Sequence, residues 1–214
     1  MYIPKTTKNL EITGDDTAIS SPALDADILL IQNYFTELKT FKLKNFKFLN
    51  NHIYDIKFKD LDVFELENIE NLCALNFKSK INVIKISNCD QLGDTNVAKG
   101  NAKALAGISE WPKNVQQISI TGCKKLRNLK LQNFTQLTNL DLTGCVSLNF
   151  IDIVDCSKIE TINLTGCADL TRVQIWTDCS KLTTIKIPKA LEGKPGIFNF
   201  APKDKIESKI VWVS

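Results

Sequence analysis

Cysteine recurs in this chain at a fixed interval. Cys123, Cys145 and Cys167 are evenly spaced, and Cys156 lies midway between the last two. Cys179 follows Cys167 by one residue more than that half-interval. A fixed period means that one structural unit is being stacked on itself, and this constrains the fold more than any composition could. Alignment on the half-interval gives ISITGCKKLRN from Ile118, LKLQNFTQLTN from Leu129, LDLTGCVSLNF from Leu140 and IDIVDCSKIET from Ile151. INLTGCADLTR from Ile162 and VQIWTDCSKLTT from Val173 continue it, and a last unit starts at Ile185. The consensus is L-x-L-x-x-C-x-x-L-x-x.

Within each unit Leu140-Asp141-Leu142 and its equivalents alternate apolar and polar residues, the mark of a short strand with one buried face. One unit is too short for a strand and a helix. Two successive units suffice for one turn of a coil with a strand on each side. The pattern therefore predicts a right-handed repeat solenoid, mainly β, with short parallel strands in two sheets around a flattened core.

Leu137-Thr138-Asn139-Leu140-Asp141-Leu142-Thr143-Gly144-Cys145-Val146-Ser147-Leu148 follows the L-x-x-L-x-L-x-x-C/N-x-L signature. Over residues 115–187 the chain resembles the short, nested type of leucine-rich repeat. In that type the L-x-L segment recurs in both halves of each turn. The resemblance implies a solenoid that binds other macromolecules and carries no catalytic residues.

Upstream, the same alternation is looser. Phe41 and Leu43 start a unit with Phe46 in the Cys position, and Ile53 to Phe58 starts another with Leu61 there. Phe64-Glu65-Leu66, Leu75-Asn76-Phe77 and Ile84-Lys85-Ile86 continue, closed by Cys89. Six of the seven cysteines, all but Cys73, thus fall at one turn position. Phe in place of Leu predicts slightly wider turns here. Two stretches break the rhythm and predict one or two helices. Ser21 as N-cap, Pro22 at the first helical position and Asp25 in the first turn favour a helix over residues 22–36. The Ala-rich stretch ending at Pro112 predicts a helical insertion over 93–112. The expected organisation is one domain, 1–214: a strand and helix cap at 1–37, repeats at 38–190 and a second cap at 191–214. Trp212 covers the last coil in this reading.

The composition narrows function. A net charge of +3, with basic residues nearly all Lys and Arg only at 127 and 172, disfavours nucleic-acid recognition. No apolar run reaches the roughly 18–20 residues of a membrane span. One His, His52, and no C-x-x-C leave no metal cluster, no redox motif and no nucleophile–base pair, so neither an enzyme nor a cofactor is expected. Seven cysteines cannot all pair within one chain. They read as buried thiols, which with a start lacking a signal-like segment favours a cytoplasmic setting. A secreted or cell-surface protein binding a host protein or glycan is the alternative.

Binding is expected on an outward strand face. One sheet presents Ser119, Thr121, Asp141, Thr143, Asn163, Thr165 and Lys186. The other presents Lys130, Gln132, Asp152, Val154, Gln174 and Trp176. Trp176 beside Val154 is the aromatic-plus-apolar pairing that anchors interfaces. Lys130, Asp152, Val154, Gln174 and Trp176 are thus the candidate site of a non-catalytic protein-binding scaffold, a monomer whose partner is another protein.

Overall fold

Each corner of the repeat is built by one left-handed residue followed by a tight turn. In the computed structural model, which describes residues 3–14, 31–47, 53–94, 107–176, 180–201 and 206–214, Gly122, Gly144 and Gly166 have φ of +64°, +75° and +76°. Glycine adopts this region without steric cost. Upstream the same place is taken by Asn45, Asn68 and Asn88, at φ of +57°, +53° and +54°, asparagine being the side chain that best tolerates it. The corner amides keep the coils bonded: Gly122 N–H donates to Thr143 O at 2.9 Å and Gly144 N–H to Thr165 O at 2.8 Å. After the corner, the Cys N–H closes a turn onto the preceding Leu, and the next Leu N–H closes one onto the Cys. Cys145 N–H to Leu142 O is 3.2 Å and Leu148 N–H to Cys145 O is 3.0 Å. The L-x-L-x-x-C-x-x-L spacing is this sequence of strand, left-handed residue and turn.

The strands are β1 (Asn9–Thr13), β2 (Thr40–Lys47), β3 (Ile53–Ile56), β4 (Asp60–Glu70), β5 (Ala74–Phe77), β6 (Lys80–Ser87), β7 (Gly107–Glu110) and β8 (Gln117–Thr121). They continue as β9 (Asn128–Gln132), β10 (Asn139–Asp141), β11 (Phe150–Val154), β12 (Thr161–Asn163), β13 (Arg172–Trp176), β14 (Thr184–Pro188), β15 (Phe198–Ala201) and β16 (Ile210–Val213). Every pairing among them is parallel. β1, β2, β4, β6, β8, β10, β12, β14 and β16 form one continuous nine-stranded sheet in that order. The other wall is two sheets, β3-β5-β7 and β9-β11-β13-β15. The chain is therefore a parallel β-solenoid, alternating wall by wall from β2 onward.

Three expectations change on this backbone. The second wall is split, because β7 pairs only with β5, across a register irregularity at Leu75/Asn76, and no ladder joins β7 to β9. Of the helical insertion expected over 93–112, residues 95–106 lie outside the described residues and 107–110 are strand. The free edge of β5 and the bond from Gly107 N–H to Cys73 O, 2.8 Å, draw 107–110 into a strand. Leu61 does not occupy a turn position. It lies near the start of the long strand β4, paired with Ile81, and Ile69, paired with Phe46, holds the Cys position of the Phe64-Glu65-Leu66 unit. Of the expected helix over 22–36 only 31–36 are described; 31–34 are helical and the helix ends two residues early. A 3-10 turn, Lys189–Leu191, precedes the last strands.

The interior is continuous. Leu, Ile and Phe from both walls are buried along the axis. In the N-terminal half, aromatic rings carry the packing: Phe41 stacks on Phe64 at 5.9 Å, Phe64 meets Phe77 edge-on at 5.3 Å, and Phe77 stacks on Trp111 at 6.0 Å. Trp111 then meets Phe134 edge-on at 6.2 Å. Such pairs add about 0.5–1.5 kcal/mol each beyond their burial. Past Phe134 the column changes to Cys156, and the filling is aliphatic until Phe198, Phe200 and Trp212 at the last strands.

The thiols of Cys73, Cys89, Cys123, Cys145, Cys156 and Cys167 are free and buried; Cys179 lies outside the described residues. Cys89, Cys123, Cys145 and Cys167 stack along the nine-stranded sheet. Cys145 Sγ donates to Ile120 O and Cys167 Sγ to Leu142 O, each at 3.2 Å. Burial pushes Cys145 and Cys167 up to about 12, and Cys73 and Cys156 to about 11. The neighbouring Cys89 thiol and burial raise Cys123 as well. These groups are protonated small hydrophobes at neutral pH.

Candidate binding face

The two outward faces differ in how far they satisfy themselves. On the C-terminal part of the nine-stranded sheet the side chains bond to one another. Thr143 Oγ1 donates to Asp141 Oδ1 and Thr165 Oγ1 to Asn163 Oδ1, both at 2.6 Å. Asn163 Nδ2 donates to Thr143 Oγ1 at 2.9 Å, and Thr161 Oγ1 to Asn139 Oδ1 at 2.7 Å. In its N-terminal part charges alternate across strands. Glu65 lies 3.6 Å from both Lys42 and Lys44, and Lys44 is 3.1 Å from Glu67.

The face made by β9, β11, β13 and β15 is different. Strand alternation turns Leu129, Leu131, Ile151, Ile153, Val173 and Ile175 inward, all buried. Their neighbours point out and meet in register. Lys130, Asp152, Gln174 and Asn199 form one row, and Gln132, Val154, Trp176 and Ala201 form the next. A third row brings Asn128, Phe150 and Arg172 together. Lys130 Nζ is 5.7 Å and the Arg172 guanidinium 5.5 Å from the Phe150 ring, so two cations flank it. The structure thus gathers all five expected site residues on one sheet face.

Their exposures separate them. Trp176 is 47% exposed, one of few large apolar side chains so open, and it faces half-buried Val154 across the strand pair. Gln174 points outward yet is only 9% exposed. It contributes little contact area and belongs to the floor of the face. The Trp176 backbone is fixed, its carbonyl accepting from Asp155 N–H at 3.0 Å. Asp155 (φ +53°) and Asn133 (φ +60°) are the left-handed corners that end β11 and β9.

Where the wall is split, a groove of about 450 Å³ opens between β7 and β9. Phe77, Glu110, Trp111, Lys113, Lys130, Gln132 and Phe134 line it. Lys113 Nζ lies 4.6 Å over the Phe134 ring and donates to Gln132 O at 2.9 Å, occupying a carbonyl on the β9 edge. The sequence pattern does not flag Trp111, near the end of the stretch expected to be helical, or Lys113, just after it. Gly107-Ile108-Ser109-Glu110, an alternating run, was the available signal.

Among the described residues no group of three His, Cys, Asp or Glu is placed to hold a metal ion, and no helix is long and apolar enough to cross a membrane. His52 lies outside the described residues. Fold and face together define a mainly β repeat solenoid with one aromatic-bearing strand face. Comparison with models of known families, with curated proteins and with solved structures finds no match.

Proposed function

We propose that this chain is a non-catalytic protein-binding scaffold of the leucine-rich-repeat type, and that it binds through the β9-β11-β13-β15 face. The observation that carries this reading is the Gln132–Val154–Trp176 row: a half-exposed indole beside an aliphatic neighbour, held on a rigid sheet. Ordered aromatic side chains of this kind dominate binding energy where proteins meet, because they bury large area at small entropic cost. Lys130, Asp152 and the Arg172–Phe150 pair supply a polar rim around it. The strands after Lys189, with Trp212 against Phe198 at 6.0 Å, serve as the cap of the last coil in this reading.

The test is capture of the partner from extract of the native host on immobilised protein. Trp176→Ala and Val154→Asp are expected to reduce capture of the same band at least about tenfold, since aromatic anchors are worth about 2 kcal/mol or more. Undiminished capture by both folded variants would sink the assignment of this face.

A further inference from the structure

We infer that the groove between β7 and β9 receives an extended acidic peptide segment of a partner protein, laid along the free edge of β9. The inference rests on the protein-binding reading of the same face and gives it a chemical specificity.

Three observations meet in the groove. The first is the broken ladder. β9 is the terminal strand of its sheet and β7 of its own, while on the opposite wall β6 and β8 stay paired. In a parallel ladder alternate residues direct their backbone groups to opposite sides. Asn133 N–H bonds Val154 O in β11, so the groups of Gln132 and Lys130 turn the other way, into the groove. Lys113 already takes the Gln132 carbonyl; the Lys130 amide and carbonyl are left for an added strand.

The second is Trp111. The residue lines the groove, and its Nε1–H is buried without an acceptor. A buried donor left unpaired costs about 1–3 kcal/mol, and a peptide carbonyl arriving there recovers it. Phe77 and Phe134 on either side of the ring supply an apolar floor for one side chain of the segment.

The third is charge. On the nine-stranded sheet Lys42 and Lys44 pair with Glu65 across strands, and between turns Lys124 pairs with Asp90 at 2.9 Å. Lys113 and Lys130 flank the groove with no carboxylate in ion-pair range among the described residues. An Asp or Glu on the incoming segment completes both.

The experiment selects displayed random heptapeptides on the whole chain, then measures labelled synthetic copies by fluorescence anisotropy. The expected consensus is net acidic with alternating apolar β-branched or aromatic positions. Affinity is expected to fall about tenfold or more in Lys113→Glu/Lys130→Glu and several-fold in Trp111→Phe, which keeps an aromatic ring and removes the donor. Lys189→Glu, a charge reversal in the 3-10 turn outside the groove lining, should leave it within about twofold. Hydrogen exchange read by NMR should show the Lys130 amide newly protected in the complex, and circular dichroism verifies each variant's fold. A neutral or basic consensus, or no enriched sequence, overturns the inference. So does an unprotected Lys130 amide. Binding that depends on Trp176 but not on the two lysines overturns the groove and leaves the face reading standing. Lysine-dependent binding of a sulfated oligosaccharide without any acidic peptide would assign the groove to a glycan instead.

Discussion

The thiol of Cys145 donates to the carbonyl of Ile120, 3.2 Å away in the preceding coil. Cys167 repeats the bond to Leu142 at the same distance. These two members of the column are thus more than small apolar filling: each thiol satisfies a carbonyl of the coil before it. Cys145→Ala removes the donor and leaves a small void, and the expected loss is about 1–3 kcal/mol. Urea denaturation of the purified variant measures it. A change below about 0.5 kcal/mol, the scatter of surface substitutions, would show that the bond contributes nothing.

Alkaline pH should unfold the chain through the same thiols. Unfolded cysteine titrates near the ordinary value of 9.0, while folded Cys145 and Cys167 hold their protons to about 12. Between those values the unfolded state binds fewer protons than the folded one, so stability falls as pH rises. The slope is about 1.4 kcal/mol per pH unit for each such thiol. Thermal melts from pH 8 to pH 11 should show it, with Cys167→Ala flattening the slope by about that amount. An unchanged slope in the variant would show that this thiol does not couple to folding.

The corner column holds its own control experiment. Gly144 sits at φ +75°, and a Cβ there would lie at ordinary contact distance from Gly122, 3.5–3.6 Å. Conformation rather than space therefore limits substitution. Gly144→Ala is expected to cost about 1–2 kcal/mol. Gly144→Asn should cost clearly less, because asparagine already fills this corner at 45, 68 and 88. Equal melting points for the two variants would refute the conformational account.

Coil deletion tests the two-wall alternation. Leu140 pairs with Ile162, so removing positions 140–161 joins Asn139 to Ile162 and deletes one whole coil. A shorter cooperative protein with the same circular dichroism per residue is expected. Removing only 140–150 sends every later strand to the opposite wall, placing β16 in the sequence position of a short-wall strand. That variant should aggregate or unfold. Equal tolerance of both deletions would contradict the observed topology.

Over residues 115–187 the units have nearly constant length and a Gly-Cys or equivalent corner, so strand positions, inward residues and the sharing of a face by Lys130, Asp152, Val154, Gln174 and Trp176 were legible from alternation alone. Before residue 92 the same wall-to-wall order holds, and Phe46 does occupy the Cys position. But Asn45 and Asn68 make the corners that glycine makes later, and β4 runs through Leu61 without a break. A pattern keyed to Gly and Cys loses its register there. The split wall was not legible. It arises from which edge β7 pairs with, a tertiary choice that local propensity does not encode. Gln174 shows the limit in another way: alternation gives the direction of a side chain but not whether its neighbours close over it.

The broken wall has a mechanical consequence. Along one side of the rod every coil is welded to the next by main-chain hydrogen bonds, whereas among the described strands opposite them the weld is missing between β7 and β9. Bending stiffness is therefore uneven along the length. Under load, flexure is expected to concentrate there, with the nine-stranded sheet as the stiff spine.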